Sequence, residues 1–182
     1  MRRSRGVGIT IAATATAPEA AATSFAELYR ATFADVYAYV ATIVTDRSAA
    51  EDVTAQAYER AYRKRRSFDA RRGSERAWIF GIARNAALDE LRRRKRTAAL
   101  AADPADLGAA APEDVAERTL QRAAVRAALA SLPAREREVI ALKFHAGLDN
   151  AEIAAVLGVS VSNAGTQLHR AMTKLREAVE HA

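Results

Sequence analysis

From Phe25 onward, large apolar residues recur three and four positions apart: Leu28, Tyr29, Phe33, Val36, Tyr37, Val40 and Ile43 follow in turn. That spacing draws one stripe along a helix and predicts either one long amphipathic helix or two short ones. Thr45-Asp46-Arg47-Ser48 interrupts the stripe with residues suited to capping. The period resumes over 49–63 through Val53, Ala57, Tyr58, Ala61 and Tyr62. It is lost over 63–74, an Arg- and Lys-rich stretch with one phenylalanine, Phe68, and one glycine, Gly73, which reads as a loop. Ser74 or Glu75 opens the next helix. On it Trp78, Ile79, Ile82, Ala83 and Ala86 share an apolar face, while Arg84, Arg92 and Lys95 share the opposite one. Asn85 and Asp89 lie at the border, and the segment ends in the basic run 92–96. A buried helix presenting charge of one sign is a device for holding a polyanion.

The Ala-rich stretch 97–112, with Pro104, Gly108 and Pro112, marks a domain boundary. Helical periodicity returns over 115–129, is interrupted at Ser131-Leu132-Pro133, and continues over 135–144 with Val139, Ile140, Leu142 and Phe144 apolar. Gly147 stops that helix. Asp149 and Glu152 form a capping-box pattern for a short helix over 151–157. Gly158 suits a left-handed turn, Val159 supplies the contact after it, and Ser160 or Ser162 caps a helix running to about Val179. Ala154, Gly158 and Ala164 carry the spacing of a helix-turn-helix: close approach, sharp turn and packing between the helices. On the second helix Asn163, Thr166, Gln167, Arg170 and Lys174 face outward. Asn and Gln suit adenine, and Arg suits guanine or phosphate; Thr166 reads as ordinary polar surface.

Composition then narrows the class. Half of the 182 residues are apolar, many of them alanine, and no segment alternates with period two, so the chain is expected to be all-α with small cores. The net charge of +6 divides as +2 over 1–24, +6 over 25–96, −5 over 97–117 and +3 over 118–182. Two basic modules joined by an acidic connector suggest nucleic acid or a membrane surface as partner. The absence of cysteine excludes disulfides and thiolate metal sites and fits a reducing cytoplasm. His145, His169 and His181 lack ligand spacing, and Ser, His and Asp form no triad-like set, so no metal, cofactor or catalytic centre is expected. No apolar run approaches the length of a membrane span. Arg2, Arg3 and Arg5 precede a mildly apolar stretch rich in threonine, read as a flexible tail over 1–24 rather than a secretion signal.

The helix-turn-helix and the basic helix together resemble one family. The chain is similar to bacterial sigma factors of the extracytoplasmic-function (ECF) group over about 25–96 and 118–180. Ala50-Glu51-Asp52-Val53-Thr54 through Tyr58-Glu59-Arg60-Ala61-Tyr62 resembles the region 2 helix that docks on the polymerase clamp. Trp78-Ile79, Ile82-Ala83-Arg84-Asn85 and Asp89-Glu90-Leu91-Arg92-Arg93 resemble the segment that handles the melted −10 element. Leu132-Pro133, Arg137-Glu138-Val139, Glu152-Ile153-Ala154, Leu157-Gly158-Val159 and Leu168-His169-Arg170-Ala171 resemble region 4, which reads the −35 element. Two departures stand out. Ala55-Gln56 replaces a frequent Gln-Glu pair, and Gly165 and Gln167 stand where cations are common.

The resemblance implies an all-α chain of two small helical domains, region 2 over 25–96 and region 4 over 118–182, joined by a flexible acidic linker over 97–117. It implies Glu51, Asp52, Gln56 and Glu59 for binding core polymerase. Arg65, Arg66, Phe68, Arg71, Arg72, Trp78, Arg84, Asn85, Arg92 and Arg93 would serve the −10 strand, with 63–74 as the capture loop. Trp78 has two roles open to it, base stacking and core packing, and Asp89 one, orienting the arginines. Ser162, Asn163, Thr166, Gln167, Arg170 and Lys174 would face the −35 duplex. The linker reads equally as a nucleic-acid mimic in the polymerase channel and as a spacer. The expected function is that of a non-enzymatic specificity subunit in the cytoplasm, associated with the nucleoid. It would bind the β′ clamp helices and β flap of core RNA polymerase and promoter DNA, under a cognate anti-sigma factor. The alternatives are a stand-alone helix-turn-helix repressor and a degenerate antagonist that binds polymerase without initiating.

Overall fold

The computed structural model describes residues 24–100 and 118–180, with backbone alone at 99–100 and 118–123. Residues 1–23 of the tail expected over 1–24, and 101–117 of the acidic linker expected over 97–117, lie outside the described residues. The order is α1 (Phe25–Val44), α2 (Arg47–Lys64), two 3-10 turns (Arg65–Ser67 and Ala70–Arg72), α3 (Glu75–Leu100), α4 (Arg118–Ser131), α5 (Ala134–Phe144), α6 (Asn150–Leu157) and α7 (Val161–Glu180). No strand occurs among the described residues.

The first stripe is one helix, not two. Ser24 caps it in a capping box with Glu27, and Thr45 ends it in a left-handed conformation at φ 61°. Asp46 then accepts from the Ala49 amide at 2.7 Å and starts α2. The stretch read as a loop over 63–74 is shorter than expected. Helix α2 runs through Lys64, and the rest holds two single 3-10 turns. Helix α3 runs four residues past the basic run, to Leu100. Its buried face is wider than the pattern showed: Phe80 and Ala87 are fully buried with Ile79 and Ala83, whereas Trp78 and Ile82 sit at its edge.

Helices α1, α2 and α3 pack mutually, and α7 packs on α4, α5 and α6. The two bundles are not separate. Helix α5 lies on α1 and α6 on α3, and Leu142, Ala146, Leu148 and Ile153 join Val36, Tyr39, Val40, Ile79 and Phe80 in one continuous core. A smaller cluster of Leu132, Ile140 and Ala171 ties α4, α5 and α7. Two alanine-rich three- and four-helix units each bury little apolar surface alone, and docking covers more of it. Phe144, expected with the apolar stripe of α5, is instead 64 % exposed where the helix ends.

Candidate nucleic-acid interface

The turn between α2 and α3 is held by local polar contacts. Asp69 accepts from the Arg71 amide at 3.1 Å and from the Arg71 side chain at 3.0 and 3.1 Å; these bonds, the side-chain ones first, hold its carboxyl below the usual range. Ser74 caps α3 by accepting from the Ala77 amide at 3.1 Å. Flanking these anchors on either side, Phe68 and Trp78 meet with ring centroids 5.5 Å apart. The two rings wall an open cavity of about 390 Å³ that Arg72, Gly81, Ile82 and Asn85 also line, with Ala155 and Val156 of α6 on its far side. Trp78 packs against the core, one of the two roles open to it, and its ring also lines the cavity.

The expected basic face of α3 is largely engaged. Arg92 donates to Asp89 at 3.2 Å, and Asp89 also accepts from Arg60 at 3.2 Å, which ties α3 to α2. Arg93 grips Glu90 through two bonds of 2.8 Å, and Arg94 adds a third of 2.8 Å and reaches Asp46 at 3.2 Å. Hydrogen bonds from Arg93, then Arg94, hold the Glu90 carboxyl down at about 2. Arg65 lies 4.0 Å over the Tyr62 ring and donates to the Tyr62 carbonyl at 2.6 Å, while Arg66 is exposed. The pairs of Asp89 with Arg60 and Arg92 are exposed on both sides, and pairs of this kind are weak.

Arg84 departs from its expected place on an open basic face. It is turned into the junction of the two bundles and donates to Glu138 of α5 at 2.7 Å. Glu138 is only 9 % exposed and also accepts from the buried Tyr39 hydroxyl at 3.1 Å. Burial, then the Glu138 charge, pushes the Tyr39 hydroxyl well above its ordinary range. Arg76 completes the junction, pairing with Asp35 and donating to the carbonyls of His145 and Ala146, and Ser74 donates to Glu152 of α6. Glu138 left a sequence signal, a charge one turn before Leu142 on the buried stripe. Arg76 left none, because its partners are distant in sequence.

The helix-turn-helix forms as its residues predict. The Asp149–Glu152 capping box is complete, Gly158 is left-handed at φ 69°, and Val159 donates to the Ala154 carbonyl at 3.0 Å. Ser160 caps α7 through the Asn163 amide at 3.2 Å. Ala154 and Ala164 are buried between α6 and α7. Ser162, Asn163, Thr166, Arg170 and Lys174 are exposed and Gln167 half-buried. The Thr166 hydroxyl bonds back to the Ser162 carbonyl at 3.0 Å, and Lys174 pairs with Glu136 at 2.6 Å.

On α2, Glu51, Asp52, Gln56 and Glu59 are all exposed along the outer surface. Glu51 pairs with Arg47 at 3.2 Å and Glu59 with Arg63 at 2.6 Å. Beside them a shallow groove is lined by Tyr29, Phe33, Tyr37 and Tyr58. No group of His, Asp or Glu among the described residues is arranged to hold a metal ion, and none of their helices is long and apolar enough to cross a membrane.

The family model for Sigma-70 region 2 matches residues 28–97, and that for Sigma-70 region 4 matches residues 122–175. The ECF RNA polymerase sigma factor SigL of Mycobacterium tuberculosis (strain Erdman) is 31 % identical over 161 residues, spanning 86 % of this chain and 91 % of its own. SigK of Mycobacterium bovis is 29 % identical over 164 residues, 86 % of each chain. Among solved structures, the sigma factor RpoE of Bartonella quintana, in complex with the anti-sigma factor NepR, shares the fold at a TM-score of 0.76 and 23 % identity, over 87 % of this chain and 98 % of its own. CnrH, in complex with the cytosolic domain of CnrY, superimposes at a TM-score of 0.61 and 25 % identity over 86 % and 88 %. With both sigma regions matched in order and a relative above 30 % identity across most of both chains, the chain belongs to the ECF RNA polymerase sigma factors.

Proposed function

We propose that this sigma factor carries core RNA polymerase to promoters by reading an upstream −35 duplex with α7 and holding a melted −10 strand at the α2–α3 turn. The observation that carries the reading is the Phe68–Trp78 cavity, an aromatic-walled recess large enough for a base, rimmed by Arg72 and Asn85. Unpairing a base costs a few kcal/mol, and stacking in a basic recess offsets about 1–3 kcal/mol per base. Arg65, Arg71, Arg92 and Arg93 would exchange their present partners for phosphates along the strand, and the exposed Arg66 would meet a phosphate beside them. Arg84 joins them only once Glu138 lets it go. Glu51, Asp52, Gln56 and Glu59 form the face for the β′ clamp helices, with the β flap as the site for region 4.

In this reading region 2 spans 25–96, a linker 97–117 and region 4 118–182, in keeping with the matched ranges. The protein acts in the cytoplasm, on the nucleoid, and performs no catalysis of its own. A cognate anti-sigma factor is part of the proposal, as RpoE was found with NepR. Run-off transcription with core polymerase on genomic fragments tests it. The wild type should yield discrete transcripts. Phe68→Ala should lower open-complex formation on the order of tenfold without loss of core binding. Absence of any transcript from any fragment would overturn the proposal.

A further inference from the structure

The reading face of α7 is wired to a residue outside the helix-turn-helix. Arg135, in the first turn of α5, donates through Nε to Gln167 Oε1 at 3.0 Å, and Gln167 Nε2 donates to Asn163 Oδ1 at 2.8 Å. A guanidinium has donors only, so the Gln167 atom facing it has to be the oxygen. That fixes the Gln167 amide and turns its nitrogen to Asn163, whose facing atom must then be the oxygen as well. The chain of two bonds therefore has one allowed sense. Each amide oxygen spends one of its two lone pairs on a bond along the protein surface and is turned toward it. What the pair turns toward an outside partner is its donors: the Asn163 Nδ2 protons, the second Gln167 Nε2 proton and the remaining Arg135 N–H groups. The cation missing from position 167 is thus supplied from α5.

We infer that Arg135 is a specificity-determining positioning residue, which turns the donors of the Asn163–Gln167 pair outward and so favours guanine over adenine at the base pair this pair meets. Guanine offers two acceptors, N7 and O6, in the major groove. Adenine offers an acceptor and a donor, and its bidentate contact needs an amide oxygen facing outward, whereas the bond from Arg135 turns the Gln167 oxygen toward the protein. The inference rests on α7 entering the major groove, as proposed above.

The test uses the full chain with core polymerase and a promoter library randomised over the −35 element. Wild-type holoenzyme should enrich guanine at one or two positions. Arg135→Leu, an exposed substitution, frees the Gln167 amide to rotate and should raise adenine relative to guanine at those positions on the order of tenfold. Gln167→Glu keeps the acceptor for Arg135 but loses the donor to Asn163, and should release Asn163 alone, with a smaller shift. An unaltered base preference in Arg135→Leu overturns the inference, as does a uniform loss across all sequences, which would make Arg135 a phosphate contact. If the wild type selects a −35 sequence, either of these results leaves the promoter-reading proposal standing. If it selects none, that proposal falls and this inference with it.

Discussion

Glu90 takes three hydrogen bonds of 2.8 Å from Arg93 and Arg94, and its carboxyl is held at about 2 in the folded chain. A carboxyl depressed on folding lends stability that is full above its unfolded value and disappears as pH falls through the folded one. Here the window runs from about 4.5, the ordinary value, down to about 2. Wild-type stability followed by Trp78 fluorescence in urea should decline across that window, and Glu90→Gln should make the decline shallower. Gly165 is a second residue with a clear expectation. It lies inside α7 at an ordinary helical φ, and an added Cβ would meet only Asn150 Nδ2 at 3.5 Å, a normal contact. Gly165→Ala should therefore stabilise the fold by about 1 kcal/mol in urea denaturation. Side chains that act on near neighbours in sequence, such as Asp149 on Glu152 and Ser160 on Asn163, were legible without coordinates. The pairing of Arg84 with Glu138 was not, because helical periodicity places a charge on a face but does not say what the face meets.

At the scale of elements, the caps decide where helices begin and end. The Asp149 carboxylate accepts from the Glu152 amide at 2.8 Å while Glu152 accepts from the Asp149 amide at 3.1 Å. Asp149→Ala should cost about 1 kcal/mol and loosen the start of α6, visible as faster amide exchange over Ala151–Leu157. Every helix of the second bundle was foreseen to within a few residues, since Pro133, Gly147, Gly158 and the Ser and Asp caps are strong local signals. The ends of α2 and α3 were less legible. Arg, Lys, Ala and Leu are good helix formers, so Arg63-Lys64 of the stretch read as a loop and Ala98-Ala99-Leu100 of the stretch read as a domain boundary extend the helices beside them. The wide buried face of α3 was also underread. Phe80 and Ala87 look peripheral to a stripe for one neighbour, yet α3 is covered by α1, α2 and α6 together.

For the whole molecule, the two matched regions share one core, and Glu138 is the polar centre of the junction. Glu138→Ala would leave the Arg84 guanidinium and the Tyr39 hydroxyl without an acceptor in a mostly buried place. The expected loss is on the order of 2 kcal/mol, read as a lower thermal midpoint. Hydrogen exchange should quicken in α5 and α6 while α1, α2 and α3 keep their protection. If α1 to α3 lose protection equally, the two bundles do not come apart as units. Sequence alone gave two modules and their order, because each has its own periodicity and its own charge. Their docking depends on surfaces that match only in three dimensions, as when Arg76 meets the carbonyls of His145 and Ala146.

Ala155 and Val156 wall the recess that Phe68 and Trp78 form. If the proposed −10 strand must pass through the side of the recess that α6 closes, the fraction of molecules with α6 withdrawn would scale the apparent affinity for single-stranded DNA. If one molecule in a hundred were undocked, the measured dissociation constant would be a hundredfold weaker than the intrinsic one. Binding of a labelled −10 oligonucleotide by the isolated protein is then a gauge of that population. Glu138→Ala should tighten it even as it lowers the melting temperature, and affinity and stability would move in opposite directions in a single variant.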